Sequence, residues 1–232
     1  MLHPSIFRDY DIRGVVEKDF DEDGVTLLGQ AFATKVHRET GGSKIVVGYD
    51  GRLSSPDLEA ALIKGMVAAG AQVTSVGCGP TPLLYFASHH LKADGGLMIT
   101  GSHNPPEFNG FKMVIDQKAI FGEEVKSLET LINTEDLISV EGGQHQSQSL
   151  HNDYLQCLIS DFQEHYKDIK MRVAWDPGNG SSGEIVQDIL AQIDGEHYLI
   201  NGEIDVTFPS HHPDPTVEEN LTQLVELVDT LE

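Results

Sequence analysis

One serine stands out for what its neighbours would let it do. In Ile99-Thr100-Gly101-Ser102-His103-Asn104-Pro105-Pro106-Glu107-Phe108-Asn109-Gly110-Phe111-Lys112, Ser102 follows the apolar run Gly96-Leu97-Met98-Ile99, and Lys112 opens the next apolar run. Gly101 removes the Cβ penalty for unusual dihedrals. Pro105 and Pro106 fix their own φ and push the residues before them to extended conformations. A hydroxyl on a stiff loop at a strand's end, with an imidazole (His103) and a cation (Lys112) close in sequence, suits a side chain that carries a reactive group. Pre-organisation of this kind is what positioning chemistry needs. The same residue types also build ordinary turns, and local composition alone favours that plainer reading. A Ser-His hydrolase pair is rejected: adjacent residues seldom point at one another, and no G-x-S-x-G elbow surrounds Ser102.

The elements that must position this loop alternate. After an irregular start, Lys44 to Tyr49 reads as a buried strand and Asp50 to Pro56 as the loop after it, with Ser55 as N-cap of a helix from Pro56 to about Ala69. A strand over 71–76, a helix over 82–91 and a strand over 95–100 follow. The chain returns as a strand over 111–115 and a helix over 123–132. Strands alternating with helices imply a mainly parallel sheet covered on both faces, with ligands gathered at the strands' carboxyl ends. The polar stretch 141–149 reads as a linker and sets a domain boundary, giving domains 1–145 and 146–232. Beyond it, the pattern predicts a helix over 152–166, a strand over 171–175, a turn and helix over 176–193, a strand over 197–200 and a helix over 217–231. The fold class is therefore α/β: two successive three-layer domains with mostly parallel sheets, the second incomplete. An open edge there would be free to pair with another copy.

Composition narrows the function. The 232 residues carry 37 acidic and 15 basic side chains, a formal net charge of −22. This argues for a soluble protein and against nonspecific nucleic-acid or membrane binding. Cys78 and Cys157 lie far apart and form neither a disulfide framework nor a zinc site. No apolar run reaches membrane-spanning length, and the N-terminus lacks a secretory pattern, so a cytoplasmic enzyme is the default. His211-His212 near Asp214 lack the spacing of zinc ligands. His89-His90 mark a helix end. Asp176-Pro177-Gly178-Asn179-Gly180 is either an anion site at a helix start or a tight strand-to-helix turn. Trp175 and Phe162 read as core.

The whole string Thr-Gly-Ser-His-Asn-Pro-Pro-x-x-Asn-Gly-Phe-Lys resembles the phosphoserine loop of the α-D-phosphohexomutases, of the bacterial phosphomannomutase/phosphoglucomutase type. Four further segments resemble the same family in the same order: Ile6 to Gly14, Val46 to Arg52, Gly79 to Pro82 and Phe208 to Thr216. The resemblance implies that Ser102 carries a phosphoryl group between positions of a hexose phosphate, interconverting the 1-phosphate and 6-phosphate through a bisphosphorylated sugar. Mannose or glucose phosphate is the implied substrate. It implies Mg²⁺, with a phosphoserine oxygen of Ser102 as one ligand. Charge neutralisation and positioning dominate such a transfer. By motif position Lys112 takes a proton or neutralises phosphate, and His103 is an acid-base or hydrogen-bonding partner. Asn104 orients the loop. Tyr10 and Arg13 face the phosphoserine, with an ion pair to Asp9 or Asp11 as the rival for Arg13. Arg52 shapes the first-strand loop.

One departure is large. The family's Asp-Gly-Asp-Gly-Asp-Arg metal loop and Gly-Glu-x-Ser-Gly sugar-reading string do not occur in these 232 residues. The chain alone is therefore expected to hold Mg²⁺ poorly and to be an inactive fragment. A non-catalytic binding or interaction module built on the same fold is the alternative, and a phosphatase-like hydrolase a weaker third.

Overall fold

A computed structural model describes residues 2–166 and 171–231. Two compact units divide it: residues 1–102 with 106–149, and residues 103–105 with 150–232. The first unit is built on a sheet whose strands are β1 (Ile12–Val15), β2 (Lys44–Tyr49), β3 (Gln72–Cys78), β4 (Gly95–Ile99), β5 (Phe108–Ile115), β6 (Lys118–Ala119) and β7 (Gln144–Ser147). Their order is β1-β5-β4-β2-β3-β7, with β6 paired to β5. β4, β2, β3 and β7 run parallel, while β5 is antiparallel to both β1 and β4.

Alternation along β2 explains the layers. Ile45 and Val47 point to the larger core, and Val46 points to a smaller one with Leu84, Ala93 and Met98. Helices α1 (Glu22–Thr40), α2 (Ser55–Ala68) and α4 (Glu123–Asn133) supply the first core, and α3 (Thr81–His90) supplies the second. Helices α1 and α2 approach closely through glycines. A Cβ at Gly29 would overlap the Leu62 carbonyl, and one at Gly65 would overlap that of Thr26.

Three expectations for this unit need correction. The stretch read as irregular contains the longest helix, α1, which is capped by the Asp21 side chain on the Gly24 N–H and stopped by Gly41 at φ 72°. The stretch read as a linker contains β7, whose side chains are all exposed and whose order comes from parallel pairing with β3. Ser55 is not the cap: it is the first helical residue, and its hydroxyl donates to Asp50 instead.

In the second unit, β8 (Arg172–Trp175) and β9 (Glu196–Leu199) pair in parallel. Helices α5 (His151–His165), α6 (Gly183–Leu190) and α7 (Thr222–Leu231) accompany them, with a 3₁₀ turn over Glu218–Leu221 before the last. Leu155, Ile159 and Ile185 form its buried cluster. Trp175 and Phe162, expected in the core, are only half-buried. No helix among the described residues is long and apolar enough to cross a membrane.

Candidate active site

Ser102 lies in the loop joining β4 to β5, at the carboxyl end of the parallel strands. It is exposed, and its φ of 54° places a non-glycine residue in the left-handed region. Such a conformation costs about 1–2 kcal/mol, so the surroundings must hold it. Three bonds do so. The Ser102 N–H donates to Thr100 Oγ1 at 2.9 Å. The Gly101 N–H donates to Asp50 Oδ2 at 3.0 Å. Arg52 Nη2 donates to the Ser102 carbonyl at 3.0 Å. Hydrogen bonds involving a charged group are worth about 1.5–3 kcal/mol each, enough to offset the strain.

Asp50 and Arg52 form the frame beneath the loop. Arg52 is 3% exposed and pairs through Nε with Asp50 Oδ2 at 3.2 Å, while Nη1 donates to the Phe108 carbonyl at 2.9 Å. Burial pushes its guanidinium below the usual arginine range, and the Asp50 charge pulls it back up. Asp50 Oδ1 accepts from the Arg52 N–H and from Ser55 Oγ, which ties the frame to the first turn of α2. Asn109, fully buried, donates to Ser54 Oγ and Ser55 Oγ at 3.0 and 2.9 Å and locks the far end of the loop to the same helix start. Gly101 is required where it stands, because a Cβ would overlap the Arg52 guanidinium.

The two cations expected near the serine meet on one carboxylate. Arg13 on β1 pairs with Gly110 of β5, so Lys112, two residues further along β5, is its diagonal neighbour on the same sheet face. Asp11 Oδ2 accepts from Arg13 Nη2 at 2.6 Å and from Lys112 Nζ at 3.3 Å. The rival reading of Arg13 as half of an Arg-Asp pair is thus the arrangement in the structure, and the same carboxylate also engages Lys112. Gly110 allows the close approach of β1: a Cβ there would overlap the Ile12 carbonyl. Tyr10 is 82% exposed. His103 is exposed and Asn104 half-buried, in the segment that follows Ser102. Arg52, expected to shape the first-strand loop, bonds Asp50 there and also reaches across to the Ser102 and Phe108 carbonyls of the serine loop. The sequence reading did not assign Asp50 and Asn109 a role, nor Asp11 its contact with Lys112. The signal available for Asp50 and Arg52 was their spacing right after an apolar strand.

The second unit has its own polar cluster. Asp176 Oδ1 accepts from the Gly178 N–H at 2.9 Å and from Asn201 Nδ2 at 3.0 Å, and Asp176 Oδ2 pairs with His211 Nε2 at 3.0 Å. Gly178 and Asn179 both have positive φ. Of the two readings left open for this string, the bonds describe a braced turn. Among the described residues no group of three or more His, Cys, Asp or Glu could hold a metal ion. The described residues thus offer no ready-made cluster for magnesium.

Comparison with known proteins agrees with these observations. The family profile described as phosphoglucomutase/phosphomannomutase, alpha/beta/alpha domain I, matches residues 4–139, and that of domain II matches residues 152–232. The chain is 39% identical over 224 residues to a phosphomannomutase/phosphoglucomutase of Pseudomonas putida, covering 97% of this chain and 47% of that protein. It is 36% identical over 223 residues to a phosphoglucomutase of Neisseria meningitidis, covering 95% and 47%. A crystal structure of a phosphoglucomutase/phosphomannomutase family protein from Burkholderia thailandensis superposes with a TM-score of 0.89 at 36% identity, covering 97% of this chain and 50% of that one. The chain spans about half the length of the curated relatives it matches. With two α/β/α units, a braced serine loop and profiles that match nearly the whole chain, this protein belongs to the phosphoglucomutase/phosphomannomutase family.

Proposed function

We propose that Ser102 is the phosphoryl carrier of a phosphohexomutase acting on hexose phosphates of the mannose or glucose type. The observation that carries this reading is an exposed hydroxyl held in a left-handed conformation by the buried Asp50–Arg52 frame. In the transfer, a sugar hydroxyl oxygen bonds to phosphorus as the bond from phosphorus to Ser102 Oγ breaks, and the hydroxyl proton ends on the Oγ that leaves. The bisphosphorylated sugar then turns over and passes its other phosphoryl group to Ser102 Oγ, the bond from that phosphorus to the sugar oxygen breaking, which restores the phosphoserine and leaves the isomeric monophosphate. A phosphoserine brings about two negative charges, and Arg13 and Lys112 are the cations on the adjoining strands. Lys112 already donates to Asp11, which supports the charge-neutralising role over that of a base. In this reading His103, the imidazole next to Ser102 in sequence, relays the proton or hydrogen-bonds the phosphoryl group, with Asn104 and Tyr10 as supports. Mg²⁺, when bound, would neutralise the phosphoserine, and of its expected ligands these residues contain only Ser102. The first unit serves as the phosphoserine domain and the second as its α/β/α successor. Cys78 and Cys157 are both exposed, and a cytoplasmic setting is part of this reading.

The test is interconversion of glucose or mannose 1- and 6-phosphates by the full-length protein, with a hexose 1,6-bisphosphate as activator. The wild type should turn over and Ser102→Ala should not. Binding of hexose phosphate with no turnover and no phosphate on the protein would instead mark a non-catalytic module.

A further inference from the structure

We infer that Arg52 is a positioning residue for the Ser102 nucleophile, joining the two ends of the serine loop so that the hydroxyl is presented in one geometry. The inference rests on the reading of Ser102 as phosphoryl carrier and extends it to a side chain that touches no reacting atom. Arg52 Nη2 and Nη1 donate to the carbonyls of Ser102 and Phe108, the residues that bracket the loop. Its Nε is held by Asp50, whose same carboxylate oxygen also takes the Gly101 N–H. The guanidinium therefore sits in a fixed fork between two carbonyls and one carboxylate, with the Gly101 backbone laid against it. A planar fork with five donors can satisfy all three at once, whereas an ammonium on a flexible stem cannot keep the same directions. At 3% exposure Arg52 offers almost no surface of its own. Its effect must pass through the loop: fixing the Ser102 carbonyl selects the backbone conformer with φ 54°, and that conformer sets where Oγ points.

The experiment compares Arg52→Lys and Gly101→Ala in the full-length protein. Amide exchange in 101–108, followed by mass spectrometry, should be faster in both by about tenfold or more, while β2 and β4 amides keep their wild-type protection. With hexose phosphate, kcat should fall about 100-fold, since misplacement of this order costs that much, and KM should stay within about threefold. Unchanged loop exchange in folded Arg52→Lys overturns the inference, and so does a raised KM at intact kcat, which would mark a substrate contact. Should Arg52→Lys fail to fold, the same criteria apply to Gly101→Ala. If the wild type never takes phosphate on Ser102, the proposed function fails, while the exchange data still decide whether Arg52 holds the loop.

Discussion

Replacing Asp11 with Asn should weaken the first unit and make it responsive to phosphate. Asp11 and Arg13 lie 2.6 Å apart with side chains 9% and 13% exposed, and Lys112 adds a longer contact from a side chain 30% exposed. Removing one partner of a buried pair costs about 3–5 kcal/mol, and a half-exposed contact adds less than about 1 kcal/mol. The amide oxygen of Asn keeps one acceptor, returning about 1 kcal/mol. Arg13 Nε is already buried without a hydrogen-bond partner, so little else can compensate the guanidinium. The net loss is about 2–5 kcal/mol, which at a urea m-value of about 2 kcal/mol/M lowers the midpoint by about 1–2.5 M. Inorganic phosphate should then occupy the place the carboxylate left. A ligand at a hundred times its Kd stabilises by about 2.7 kcal/mol, so phosphate should restore much of the midpoint in Asp11→Asn and little in the wild type. Urea titrations at matched ionic strength, with phosphate or chloride, measure this. An unchanged midpoint would refute the pairing argument, and equal rescue by chloride would refute the idea that Arg13 and Lys112 form an anion site.

Two further predictions follow from single contacts. Gly110→Ala places a Cβ on the Ile12 carbonyl, a backbone atom that cannot rotate away. It should cost about 3 kcal/mol, read as a fall in Tm of about 6–12 °C with the β1 amides losing protection first. In the second unit, burial disfavours the charged form of His211, but its bonds to the His212 carbonyl and to Asp176, with the Asp176 charge, raise its pKa above the ordinary value of 6.5. A raised folded-state pKa means stability that is fully present below the unfolded value and lost as pH rises through the higher folded one. Denaturation of the second unit, followed by Trp175 fluorescence from pH 5.5 to 9, should show this decline, and His211→Gln should flatten it.

The parallel strands other than β7 were legible because strands buried on both faces read as apolar runs. The serine loop was legible because its glycine and prolines sit where a strand must end. Helix α1 was not: Gly24, Gly29, Thr34 and Lys35 all occupy buried positions and dilute its apolar stripe. Strand β7 was not, because its order comes from its neighbour β3 rather than from its own residues. At the site, Ser102, Arg13 and Lys112 were singled out by motif position, whereas Asp50 received no role and Asp11 only a rival pairing with Arg13. Their work depends on partners far along the chain, Lys112 for the one and the Gly101 amide for the other. Local pattern carries no trace of such pairings.

Phosphopeptide mapping of the full-length protein after incubation with a hexose 1,6-bisphosphate tests the central claim most directly. The account predicts one phosphate per chain, located on Ser102 and absent from Ser102→Ala, whose fold is otherwise unchanged. A chain that takes no phosphate, or takes it on another residue while Ser102 stays bare, would contradict it.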